Sequence, residues 1–240
     1  MKHLPTVLLT ALCLTILLHP TNRCNYKHLL SVSCKVVIPS GGSGSGVYVT
    51  RLVGRTSRTF VWTAGHVAEA VQREDGTFGD LEIEDGEVKG VPAKVIAYSA
   101  KEDLALLEIS GNTHNFPSAT FYGSDEEITP GTELVHVGSV RGLRNSVSTG
   151  VMSRVNHKFD GESEVFDQTS TLGYPGSSGG GVFLRDGQCI GLLTRGVGPG
   201  LNFIVPVRRM RAWARSEGIE WAIDPMLPIP VNVKRPIDEK

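Results

Sequence analysis

The chain has 240 residues, 40% of them hydrophobic, with 24 Lys and Arg against 25 Asp and Glu. That is apolar material for one large domain or two small packed barrels, and the near-neutral balance argues against nucleic acid or an anionic membrane as partner. The 28 glycines, with short apolar runs between them, point to a β-rich fold with many tight turns.

Residues 1–24 read as an export leader. Lys2 gives a positive start and Val7 to Leu18 is an apolar run. The run is shorter than the roughly 20 apolar residues of a spanning helix and matches the hydrophobic region of a signal peptide. His19 to Cys24 shows no small-x-small cleavage pattern, so a retained N-terminal anchor stays open beside a cleaved signal. Either reading puts the remainder outside the cytoplasm, secreted or periplasmic. Beyond the leader stand Cys24, Cys34 and Cys189, too odd a number for complete pairing. A Cys24–Cys34 disulfide and a role as small buried hydrophobes both remain open. No Cys-x-x-Cys or His/Cys cluster has zinc spacing, so neither a metal nor another cofactor is expected.

Ser31 to Ile38 reads as a first strand, Ser43 to Gly46 as a turn, Val47 to Thr50 as a second strand and Thr59 to Thr63 as a third. Further strands are expected over Val91–Tyr98, Leu104–Ile109, Glu133–Val137, Val147–Val155, Gly181–Leu184, Cys189–Thr194 and Leu201–Val205. The polar stretch 111–131 reads as a connector between two β units. Pro206 opens a helix running to Glu217, with Val207, Met210 and Ala214 on one side and Gly218 as its stop. Arg208, Arg211 and Arg215 share another side, read as a solvated face rather than a membrane or nucleic-acid patch. Residues 218–240 read as an extended, proline-rich tail.

Three segments carry chemistry. Tyr174-Pro175-Gly176-Ser177-Ser178-Gly179-Gly180-Gly181 surrounds a serine with glycines, which permit a tight turn and close approach of substrate. A serine hydroxyl becomes a nucleophile only beside a base, and its site needs backbone N–H groups for the oxyanion; Gly176, Ser177 and Ser178 are the candidates, Gly176 and Ser178 foremost. Thr63-Ala64-Gly65-His66-Val67 places a histidine at a strand end, and Asp103-Leu104-Ala105-Leu106-Leu107 sets an acid at the head of an apolar strand. Chain order separates the serine-triad folds. No histidine follows Ser178, which excludes the order of α/β-hydrolases, and no aspartate precedes His66, which excludes that of subtilisins. For this histidine the order His66, Asp103, Ser178 remains, that of chymotrypsin-like barrels. The glycine run 41–46 does not fit a phosphate-binding fingerprint and leads into a strand, so a phosphate site is set aside.

These blocks resemble the signature segments of trypsin-like peptidases, and most of all the HtrA (Deg) protease domain. Gly44-Ser45-Gly46-Val47, Ser148 to Val155 and Asp186 to Leu192 agree with it. The resemblance implies an all-β fold of two packed antiparallel six-stranded barrels with a C-terminal helix, spanning 25–217, and peptide-bond hydrolysis through an acyl-enzyme on protein or peptide substrates. It implies Leu172 at the base of the S1 pocket and Thr194, Arg195 and Gly196 along its wall, with small or medium aliphatic P1 residues preferred; an inward Arg195 would instead draw an acidic side chain. Ser177 stands where HtrA enzymes usually have Asn and animal trypsins have Asp. Being uncharged, it cannot pair with a new N-terminal amine, so no zymogen switch of that kind is expected. HtrA proteins carry a PDZ domain after the protease; the residues after the helix here fall short of the roughly 50 that a domain needs. The competing class is a latent barrel pair used for binding, which typically loses a triad residue. The oligomeric state is left open.

Overall fold

The computed structural model describes residues 24–84, 90–111, 116–230 and 233. The expected leader, apart from Cys24, and the end of the tail lie outside them.

A short helix α1 (Tyr26–Ser31) comes first, so the first strand starts at Ser33 rather than at Ser31. Asn25 caps it, its side chain accepting from the His28 N–H at 3.2 Å. Strands β1 (Ser33–Val37), β2 (Ser43–Val53), β3 (Thr56–Ala64), β4 (Leu81–Glu84), β5 (Val91–Ser99) and β6 (Leu104–Ile109) close into a barrel in the order β1-β2-β3-β6-β5-β4. Helix α2 (Gly65–Glu69) follows β3 directly. After the connector, β7 (Thr120–Phe121) runs parallel to a strand of the second unit. There β8 (Glu133–Gly138), β9 (Ser146–His157), β10 (Phe166–Thr169), β11 (Gly181–Leu184), β12 (Gln188–Gly198) and β13 (Leu201–Pro206) run in the order β11-β8-β9-β10-β13-β12. The β11–β12 pairing closes this second antiparallel barrel. Helix α3 (Val207–Glu217) ends at Gly218, whose φ of 71° is the left-handed conformation that glycine adopts without a steric cost.

The apolar alternation of the strands is read on both faces. Tyr48, Val61, Ala105 and Leu107 fill the first barrel, while their neighbours Val47, Val49, Phe60, Trp62, Leu104 and Leu106 face outward into a second core between the barrels. Val135, Phe183, Leu192 and Val205 meet them there from the other side; Leu134, Val182, Ile190 and Ile204 fill the second barrel. Val207, Met210 and Ala214 of α3 are buried as their spacing predicts.

Three further expectations change. Residues 43–46 are not a turn but the start of β2, pairing with Val36, Lys35 and Cys34 through Gly44, Ser45 and Gly46. Arg208 and Arg211 are not solvated: each is largely buried and bound to a carboxylate, Asp167 and Asp125 respectively, and only Arg215 stays exposed. The tail does not begin at 218, because Ile219, Trp221, Ala222 and Ile223 turn back into the core between the barrels and Trp62 Nε1 donates to the Ala222 carbonyl at 2.9 Å. The open question of the cysteines is answered too: Cys24, Cys34 and Cys189 form no disulfide, and the last two are fully buried.

Candidate active site

His66 and Asp103 meet because β3 and β6 are antiparallel neighbours that end together, Ala64 pairing with Leu104. His66 follows as the second residue of α2, and Asp103 precedes β6. Gly65 makes the approach possible: a Cβ there would lie 2.8 Å from the Leu104 nitrogen and 2.9 Å from the Asp103 carbonyl carbon. Asp103 is buried and takes a φ of 53°, a region that aspartate enters more readily than most residues. In that conformation its carboxylate turns back on the histidine. Oδ1 accepts from the His66 backbone N–H at 3.0 Å and lies 2.9 Å from Nδ1, with Oδ2 at 3.2 Å.

The two groups set each other's charge. The hydrogen bond with Asp103 raises the His66 pKa above its ordinary 6.5, against the opposing effect of burial. Burial pushes the Asp103 carboxyl up, but the bonds from the His66 ring and backbone outweigh it and hold Asp103 below its ordinary 3.8. Asp103 is therefore an ionised, acceptor-only group near neutrality, and Nδ1 must carry the proton it shares with it. In the neutral imidazole this leaves the lone pair on Nε2, the nitrogen free to receive a proton.

Ser178 lies in the turn before β11, held against the first barrel by Ser45. The Ser45 N–H donates to the Ser178 carbonyl at 2.7 Å. Its hydroxyl donates to the Gly176 carbonyl and accepts the Ser139 N–H, both at 2.7 Å. One buried side chain of β2 thus ties the Ser178 turn to the end of β8. Within the turn, the Gly180 N–H donates to the Ser177 carbonyl and the Gly179 N–H to the Leu193 carbonyl. No hydrogen bond joins Ser178 to His66 among the described residues; in unliganded sites such bonds are often long and tighten with substrate.

The three candidate oxyanion donors differ. The Ser177 N–H already donates to the Tyr174 carbonyl at 2.9 Å, so it is spent on the turn. The Pro175 carbonyl accepts from Arg141 N–H at 2.7 Å. Because a trans peptide sets N–H opposite C=O, the Gly176 N–H faces away from Arg141. Gly176 has φ of 94°, and a Cβ there would collide with the Ser139 carbonyl, so glycine is required.

Beside Ser178 opens a pocket of about 320 Å³ lined by Gly173, Tyr174, Leu193, Thr194, Gly196 and Asn202, among others. Thr194 and Gly196 are where they were expected. Leu172 is not: it is 43% exposed and lines a separate cavity with His136 and Val147. Arg195 turns outward, its guanidinium 2.7 Å from Glu162 and over the ring of Phe166 at 4.6 Å. Asn202 lines this pocket where Leu172 does not, and Ser45 ties the barrels. Neither was singled out from sequence, since the partners of each lie far away along the chain.

The sequence profile of the trypsin-like peptidase domain matches residues 44–192, more than half of the chain. The chain belongs to the trypsin-like peptidase family. Serine protease HTRA1 of Xenopus laevis is 30% identical over 70% of this chain and 35% of its own length. A probable periplasmic serine endoprotease, DegP-like, of Halomonas elongata is 29% identical over 62% of this chain and 30% of its own. The chain thus spans about a third of the length of these curated relatives. Among solved structures, a variant of the HtrA-type protease AlgW with a tripeptide has a TM-score of 0.64 at 21% identity, covering 82% of this chain and 64% of that one. Rv3671c from M. tuberculosis, a serine-to-alanine mutant in an inactive form, also has 0.64, at 15% identity, covering 86% and 94%. Both share the two-barrel fold.

Proposed function

We propose that this trypsin-like domain is a serine endopeptidase acting on protein or peptide substrates through an acyl-enzyme. The observation that carries it is the pair of hydrogen bonds between His66 and Asp103, which leaves Nε2 as the basic nitrogen on the segment against which the Ser178 turn packs: a Cβ on Gly44 would meet both Val67 and the Ser178 carbonyl, and one on Gly179 the Ala64 nitrogen. In the proposed reaction Nε2 takes the Ser178 hydroxyl proton as Oγ attacks the scissile carbonyl, then delivers it to the leaving amine; Asp103 stays ionised and stabilises the imidazolium between the two transfers. The N–H groups of Gly176 and Ser178 receive the oxyanion. Losing one such donor costs on the order of 10²–10³ in turnover. Water then attacks the acyl-enzyme by the reverse sequence, with His66 again as base.

The relatives' periplasmic naming and the apolar N-terminal run support a location outside the cytoplasm, with the leader either cleaved or kept as an anchor. No helix among the described residues is long and apolar enough to cross a membrane. The test is cleavage of an unfolded protein substrate by the wild type and by Ser178→Ala. Cleavage by the wild type alone is expected. A Ser178→Ala protein that cleaves equally well would contradict the assignment, and two folded, inert proteins would favour a barrel pair kept for binding.

A further inference from the structure

The pocket beside Ser178 is lined by a buried polar side chain, Asn202, that the sequence did not announce. Asn202 lies on β13 and is fully buried. Its Nδ2 donates to the Thr171 carbonyl at 2.6 Å. That bond fixes which way the amide faces, since the opposite orientation would set two acceptors together. Asn202 Oδ1 therefore points away from Thr171 and accepts no hydrogen bond. It sits between the two pocket walls: a Cβ on Gly173 would come within 2.7 Å of it, and one on Gly196 within 2.6 Å. Those bare glycines leave it room. A second polar atom of the same pocket, Thr194 Oγ1, is also buried and without a partner.

An unpaired buried acceptor is costly, and a ligand atom that pairs with it recovers that cost. Each class of P1 side chain meets these two atoms differently. An aliphatic chain leaves both unpaired. Lys or Arg finds no carboxylate among the lining residues, and a buried cation needs one. An acid brings its charge against Oδ1, while the nearby Arg195 is already bound to Glu162. A carboxamide offers an N–H to Asn202 Oδ1 and a carbonyl to the Thr194 hydroxyl, which is the complementary set.

We propose that the S1 pocket selects a carboxamide P1 side chain, glutamine foremost, with Asn202 and Thr194 as the specificity-determining residues. This rests on the reading of Ser178 as nucleophile, and it replaces the aliphatic preference expected from Leu172. Sites built to hydrogen-bond a substrate group discriminate strongly against analogues lacking it.

The experiment measures kcat/KM on peptides that differ only at P1, carrying Gln, Asn, Leu, Val, Lys or Glu, with fluorophosphonate labelling of Ser178 as an independent readout. Gln is expected to exceed Leu at least tenfold, and Thr194→Val, which keeps the side-chain shape, to shrink that ratio. Asn202→Asp is expected to move the preference toward Lys and Arg; should it fail to fold, the wild-type ranking and Thr194→Val still decide. Leu or Val cleaved as well as Gln by a protein that labels at Ser178 would overturn the inference and leave the endopeptidase reading standing. A Gln preference untouched by Thr194→Val and by a folded Asn202→Asp would overturn the assignment to these residues. No labelling and no cleavage of any peptide would remove the endopeptidase reading and this inference with it.

Discussion

The Asp103 carboxylate accepts from both the ring and the backbone of one residue, His66, and the backbone bond does not depend on the orientation of the ring. His66 acts as a base only when neutral, and Asp103 raises its pKa above 6.5. Activity is therefore expected to fall as pH drops, with the midpoint of the acid limb of kcat/KM above 6.5. Asp103→Asn should lower that midpoint and reduce turnover by about 10⁴; a pH–rate profile on both proteins checks this, and an unmoved limb would contradict it. Ser45 is a positioning residue. Ser45→Ala leaves the buried Ser139 N–H unpaired, a cost of about 1–3 kcal/mol, and frees the Gly176 peptide, so both the urea midpoint and the rate of peptide cleavage should drop. The three proposed catalytic residues were legible because each sits in a short segment whose neighbours have local reasons: a strand end, a strand head, a glycine turn. Ser45 and Asn202 were not, because Ser45 is read only against Gly176 and Ser139, and Asn202 only against Gly173, Gly196 and Thr171.

Helix α3 acts on the site through Arg209. Its guanidinium binds the Glu102 carboxylate at 2.7 Å and the carbonyls of Lys101, Glu102 and Val165, and it lies over the ring of Phe166. It thereby clamps the turn that leads into Asp103. Removing one partner of a buried pair strands the other, at about 3–5 kcal/mol. Arg209→Met should lose stability on that scale and should also slow turnover, because the Asp103 turn loosens; denaturant unfolding and kcat together test this, and a stable, fully active variant would contradict it. The arginines of α3 show the limit of periodicity. Spacing places Arg208 and Arg211 away from the core stripe, but Asp167 and Asp125 come from distant loops and strands and draw them in. Strands were legible where both faces are apolar, as in Thr59–Thr63 and Leu104–Ile109. The short β4, β7 and β10 were missed: the alternation of β4 lasts only four residues between polar stretches, β7 has two residues, and β10 includes Asp167, whose burial depends on Arg208.

The two barrels meet along a core of their outward faces, and the proposed site draws His66 and Asp103 from one and Ser178 from the other. The order of the three residues along the chain was enough to assign them to successive β units; the sharing of Trp62, Phe60 and Leu106 with Val135, Phe183 and Trp213 was not, because it is a property of two closed sheets packed together. His136, on β8 beneath the Ser178 turn, makes the assembly sensitive to acid. Burial pushes its pKa down to about 4, only partly offset by the carbonyls of Leu172 and Ser177. Between about 4 and the ordinary 6.5 the unfolded chain binds the proton and the fold does not, so stability attributable to this residue is present above that window and lost as pH falls through it. His136→Leu should remove that slope, which is at most about 1.4 kcal/mol per pH unit; urea unfolding of the two proteins from pH 7 to 4 gives the difference. Parallel curves would contradict the assignment.

The central claim is that Ser178 is an activated nucleophile served by His66. Its most direct test is fluorophosphonate treatment of the wild type, Ser178→Ala and His66→Ala, with the modified peptide mapped by mass spectrometry. A single adduct on Ser178, absent from Ser178→Ala and strongly slowed in His66→Ala, is the predicted result. An adduct on Ser177, or labelling of Ser178 at the same rate without His66, would contradict it.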